Sequence, residues 1–136
     1  MKLFLVASQL TPKENELNLT MQPLNHFVSA LPGTADAAIV TEIESRIGNH
    51  AELITSQEKS AFRAVLSLYL HCRKYVEIEN YTLRDAVTDI MHFVPRSIVD
   101  DILSLEGISD TIAEELIVFF AKSLEASEVK TVSAFD

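Results

Sequence analysis

Asp85, Asp89 and His92 stand at i, i+4 and i+7, the spacing that brings three side chains onto one face of a helix. Two carboxylates and an imidazole so placed have the chemistry to hold a divalent cation or to move a proton on a substrate. Leu83, Val87, Ile90 and Val94 form the opposite, apolar face of the same segment, which turns the three polar groups toward solvent rather than into a pocket. His71 and Cys72 are adjacent, but neighbours in a helix point about 100° apart and cannot make a nucleophile–base pair with each other. Cys72 instead falls on an apolar stripe, as a small buried hydrophobe does. His26 and His50 have no spaced partner, and no phosphate loop, glycine fingerprint, G-x-S-x-G or H-E-x-x-H occurs. An enzyme would have to gather His71, Asp85, Asp89 and His92 from a distance, so the expectation is a protein without catalysis, cofactor or metal.

The acids form the stronger pattern. The net charge is −9, and residues 98–136 hold nine acids against two bases. Asp100, Asp101, Glu106, Asp110, Glu114 and Glu115 lie on two consecutive helices and the turn between them. Carboxylates on such a surface can stand at phosphate-like separations and steer onto a basic groove, while nucleic acid and anionic membrane are repelled. The same surface also serves solubility alone. "LIVFFA", residues 116–121, lies beside it, and a charged rim around an apolar patch is a common form of protein interface. Arg63, Arg73, Lys74, Arg84 and Arg96 are the main bases, with Arg73 and Lys74 expected to pair with Glu77 and Glu79 or to cap their own helix.

The elements that must carry these groups are mostly helical. Thr34 or Asp36 caps "AAIVTEIESRI", which Gly48 closes. Thr55 and Glu58 make a capping box for the longest helix, "SQEKSAFRAVLSLYLHCRKYVEI", with Phe62, Val65, Tyr69, Cys72 and Val76 as its buried stripe. Thr82 opens "LRDAVTDIMHFV", Pro95 begins "PRSIVDDILSL", and Gly107 ends it. The last helix runs from about Thr111 to Leu124, and its all-round apolar run belongs in the centre or in an interface. "LNHFVSALPG" reads as a short helix stopped at Pro32–Gly33. "KLFLVA" (2–7) and the alternating "ELNLTM" (16–21) read as a hairpin around "TPKEN", although Thr11, Pro12 and Glu14 also fit a helix start, so residues 11–22 are left as hairpin or helix. Val129 and Thr131 alternate with polar neighbours and fit either a third strand or a frayed end. The expected fold is a single α+β domain over 1–136, about five helices packed on a small N-terminal β-hairpin.

"LEGISDTIAEEL" resembles the helix–hairpin–helix family at Gly107, Ile108, Ala113 and Leu116, and that resemblance implies backbone N–H groups that bind phosphate. It departs from the family at Ser109, where a second glycine belongs, and at Asp110, Glu114 and Glu115, which make the surroundings negative. Direct nucleic-acid binding is therefore not expected. One cysteine excludes an internal disulfide and argues against a thiolate zinc site. No apolar run approaches the roughly 18 residues that span a bilayer, and "LFLVA" is too short for a signal peptide. The reading is a cytoplasmic, acidic protein-binding protein of the inhibitor, immunity or phage-encoded blocker type. Its partner is a basic, nucleic-acid-handling protein, met by Asp100, Asp101, Glu106, Asp110, Glu114 and Glu115 in imitation of a DNA backbone. The alternative is an assembly or chaperone-like subunit that forms a homo-oligomer through residues 111–124.

Overall fold

Every regular element among the described residues is a helix in the computed structural model, which describes residues 21–135, with side chains through residue 126. In chain order these are α1 (Leu24–Phe27), α2 (Ala35–Ile47), α3 (Ser56–Leu70) with a π-turn at His71–Tyr75, and α4 (Leu83–Asp89). Two 3-10 turns (Met91–Phe93 and Arg96–Ile98), α5 (Val99–Leu103) and α6 (Asp110–Phe135) complete them. The α+β expectation is corrected: the described part is all-helical, and it contains no hairpin and no strand. Residues 2–7 and 16–20 of the expected hairpin lie outside the described residues. The expected third strand around Val129 and Thr131 is instead part of α6. Extending a formed helix adds a hydrogen bond for each residue fixed and needs no new nucleus, whereas a lone strand there would have no ladder to join.

The helix starts follow their capping residues. Ala37 N–H donates to Thr34 Oγ1 at 3.2 Å, and α2 ends at Gly48, whose φ of 91° is the left-handed region that glycine tolerates. Thr55 N–H donates to Glu58 Oε1 (2.8 Å) and Glu58 N–H to Thr55 Oγ1 (3.2 Å). Thr82 and Asp85 make the same reciprocal pair at the start of α4.

Several helices stop earlier than expected. α1 ends at Phe27 because Ser29 gives its N–H to Glu115, 86 residues away, rather than to the preceding turn. α4 ends at Asp89, and Val94 is extended (φ −110°, ψ 119°), as the residue before Pro95 must be. In α3 the apolar stripe holds through Cys72 and breaks at Val76, which is half-exposed. The cause is the π-turn: Val76 N–H donates to His71 C=O, five residues back, so the helix slips register after Cys72.

α3 and α6 form the centre, antiparallel. Phe62 stacks on Phe120 (centroids 4.8 Å apart, planes 18°) toward one end, while Arg73 reaches Asp110 at the other. Phe27 of α1 meets Phe119 edge-on at 5.7 Å. Leu116, Phe119 and Phe120 are fully buried, with Leu24, Ile43, Ile47, Phe62, Ile98 and Ile102 in the same core. "LIVFFA" is thus central, with only Val118 substantially exposed. Truncating a stacked ring there removes both burial and contacts on two helices. Phe120→Ala should lower unfolding stability by about 3–5 kcal/mol in urea titration, and an unshifted midpoint would refute this packing role.

Candidate functional site

The six acids of the expected face fall into three groups. Asp100, in the first turn of α5, is exposed and makes no side-chain interaction among the described residues. Asp101, Asp110 and Glu114 are ion-paired. Asp101 Oδ1 takes Arg46 NH1 of α2 at 3.0 Å, and the same guanidinium holds Glu42 at 2.8 Å. The bond to Asp101, then that to Glu42, raises the Arg46 pKa further. Asp110 takes Arg73 NH2 at 3.2 Å, and Glu114 takes Lys74 Nζ at 3.4 Å.

Glu106 and Glu115 bond to neutral donors. Glu106 accepts from the N–H groups of Leu83 and Arg84, both at 3.2 Å, and so caps α4 from across the fold. Glu115 accepts from Ser29 N–H and Ser29 Oγ, each at 2.9 Å. A carboxylate held by neutral N–H and O–H donors keeps its full charge, whereas an ion pair largely cancels its own. The face is therefore not a row of free carboxylates. Three of the six charges are cancelled by internal bases, two are fixed by neutral donors, and Asp100 is left without a partner among the described residues.

The pairing of Arg73 and Lys74 differs from expectation. Both reach α6, not Glu77 or Glu79, because they sit within the π-turn that aims them across the helix pair. Arg73 also lies 5.2 Å over the Tyr69 ring. Glu77 and Glu79 are left exposed without an ion pair among the described residues.

The turn that resembles the helix–hairpin–helix motif is a real corner, with Gly107 at φ 91° and Ser109 Oγ accepting from Ile112 N–H. Its Ser109 N–H, of the kind a phosphate would take, already donates to Asp36 Oδ1 at 3.0 Å. An internal carboxylate occupies the anion position. Asp36 and Ser29 are the partners that sequence reasoning missed. Asp36 was a candidate cap for α2, and nothing local marks its reach to Ser109, 73 residues on.

The residues an enzyme would need are engaged separately. Asp85 completes a capping box, and Asp89 accepts from Tyr81 Oη at 2.6 Å. Burial first, and then that hydrogen bond, push the Tyr81 phenol far above its usual pKa. His71 stacks on Tyr75 at 6.2 Å, and His92 is exposed. Among the described residues, no group of three or more His, Cys, Asp and Glu could hold a metal ion. No helix there is long and apolar enough to cross a membrane. No family model, curated protein or solved structure matches the chain.

Two outcomes follow from these donors. Glu106→Ala leaves two N–H groups at the start of α4 unpaired and should cost about 1–3 kcal/mol, whereas Asp100→Ala should stay within about 0.5 kcal/mol of wild type in the same urea titration. Glu58 is held below the usual carboxylate range by the Ser97 hydroxyl (2.6 Å) and then by Thr55 N–H. Its stabilisation is present above the unfolded-state pKa of about 4.3 and is lost as pH falls through the lower folded value. Glu58→Gln should be less stable than wild type by at most about 1 kcal/mol near neutral pH, because solvent screens an exposed carboxylate, and the gap should close as pH falls through the lower folded value. A gap independent of pH would show that the charge of Glu58 is not what the cap uses.

Proposed function

We propose that the chain is a small acidic protein-binding protein of the inhibitor or immunity type, acting in the cytoplasm, that captures a basic, nucleic-acid-handling protein and occludes its groove. The observation that carries this reading is the way the acidic face is built. Glu106 and Glu115 keep their charge while backbone and hydroxyl donors fix their position, and Asp100 has no basic partner among the described residues. Fixed charge of one sign steers a basic partner and needs little reordering on contact. Asp101, Asp110 and Glu114 can exchange their exposed internal partners for the partner's bases, since such pairs are individually worth little. A single buried thiol fits a reducing compartment. Self-association through residues 111–124 gains no support from the geometry, because Leu116, Phe119 and Phe120 of that helix lie inside the chain's own core.

The test separates charge from fold. Asp100→Lys and Glu114→Lys together spare the structural carboxylates Glu106 and Glu115. A tagged pull-down from host lysate at low and high salt, with mass spectrometry, should yield a basic partner near equal stoichiometry that high salt releases. The double variant should keep the wild-type circular dichroism and bind that partner roughly tenfold more weakly or worse. Unchanged affinity would overturn the acidic-face mechanism.

A further inference from the structure

The partner contact described above has charge but lacks an apolar anchor, because the apolar run of α6 is inside the molecule. The structure offers one elsewhere. In the six residues after Lys74, "YVEIEN", Tyr75 is 73%, Val76 52% and Ile78 43% exposed. Three large apolar side chains within four positions are thus left in water on a single turn. Glu77 and Glu79 alternate with them, exposed and without ion pairs among the described residues.

The turn is built rather than loose. Val76 N–H donates to His71 C=O (3.0 Å) and Ile78 N–H to Cys72 C=O (2.9 Å), tying it to the π-turn below. Glu77 and Asn80 both hold left-handed backbone, at φ 61° and 60°, which residues bearing a Cβ disfavour unless their surroundings impose it. Buried Cys72 on one side and buried Tyr81, bonded to Asp89, on the other supply that constraint. The Tyr75 ring is stacked on His71 at 6.2 Å, and Lys74 Nζ lies 5.9 Å from its centre. An exposed tyrosine already held in place loses little freedom on binding, which is what an anchor residue needs.

Charge selects the occupant. In the free chain the adjacent bases Arg73 and Lys74 are bound to Asp110 and Glu114, so they do not offset Glu77 and Glu79, and the turn presents apolar side chains between unbalanced acids to an arriving partner. We infer that residues 75–80 are a preformed docking surface for an amphipathic segment of a partner protein, with an apolar face flanked by lysine or arginine. The inference rests on the reading of the chain as a binder of a basic partner, and it names the contact that holds such a partner once charge has steered it in.

The test uses the full chain, 15N-labelled, titrated with a synthetic amphipathic leucine–lysine helical peptide and with a scrambled peptide of the same composition. The amphipathic peptide should shift resonances centred on residues 75–80, and the scrambled one should bind at least tenfold more weakly. Tyr75→Ser with Ile78→Ser, and separately Glu77→Asn with Glu79→Gln, should each weaken binding at least fivefold. Asparagine keeps the left-handed backbone at position 77 while removing the charge. Equal binding of both peptides would overturn the docking surface, since charge alone would then suffice. Shifts confined to Asp100, Glu106 and Glu115 would overturn it and leave the wider reading standing, and no shift with either peptide would overturn it as well, the wider reading then being decided by the pull-down. Sedimentation of the protein alone should show no self-association through this turn. A dimer abolished by Tyr75→Ser would make a second copy the occupant and reject the basic partner.

Discussion

Carboxylates gripping backbone N–H groups hold this fold at its corners. A helix start leaves N–H groups without intrahelical acceptors, and a chain of short helices has many starts for its length. Here Glu58 serves Thr55, Asp85 serves Thr82, and Glu106 reaches across to Leu83 and Arg84. Asp36 closes the turn before α6 through Ser109, and Glu115 takes the N–H of Ser29 where α1 ends. Helices of four to seven residues, such as α1, α4 and α5, are too short to persist alone in water. These bonds and the shared core define where each begins and stops. Much of the chain's acidity is thereby architectural, and its charge survives because the donors are neutral.

The apolar core and the acid clasps meet on α6. One side of that helix supplies Leu116, Phe119 and Phe120 to the centre, and its first turns supply Asp110, Glu114 and Glu115 to three different partners. Such a division lets one helix fix both the interior and the orientation of α1 and the end of α3. It also separates roles among the surface acids. Removing a clasp strands a donor, whereas removing a free carboxylate changes only the field.

What could be read from the sequence was local. Thr34, Thr55, Thr82 and Gly48 marked helix boundaries because capping and left-handed stops act within a few residues, whereas α5 stops at Leu103, four residues before the expected stop at Gly107. The core stripe through Phe62, Val65, Tyr69 and Cys72 was legible for the same reason. The third strand was misread because alternation over Val129 and Thr131 is a weak signal beside the tendency of a long helix to continue. The π-turn had no visible mark, although it redirected Arg73 and Lys74 to α6 and turned Val76 outward. The acidic face was legible as composition and illegible as geometry. The partners of Asp101, Glu106 and Glu115 lie 55, 22 or 23, and 86 residues away, beyond any local pattern.

The placement of α6 bears on how the chain is made. Its rings complete a core whose other walls, α1 to α5, precede it in the sequence. During synthesis those walls leave the ribosome first, and Phe27 and Phe62 lack the α6 rings they pack on until Phe119 and Phe120 emerge. At about 5–20 residues per second, the interval between Phe62 and Phe120 lasts several seconds. Throughout that interval the nascent chain presents an uncovered apolar seam. The seam is therefore covered only once α6 has been made.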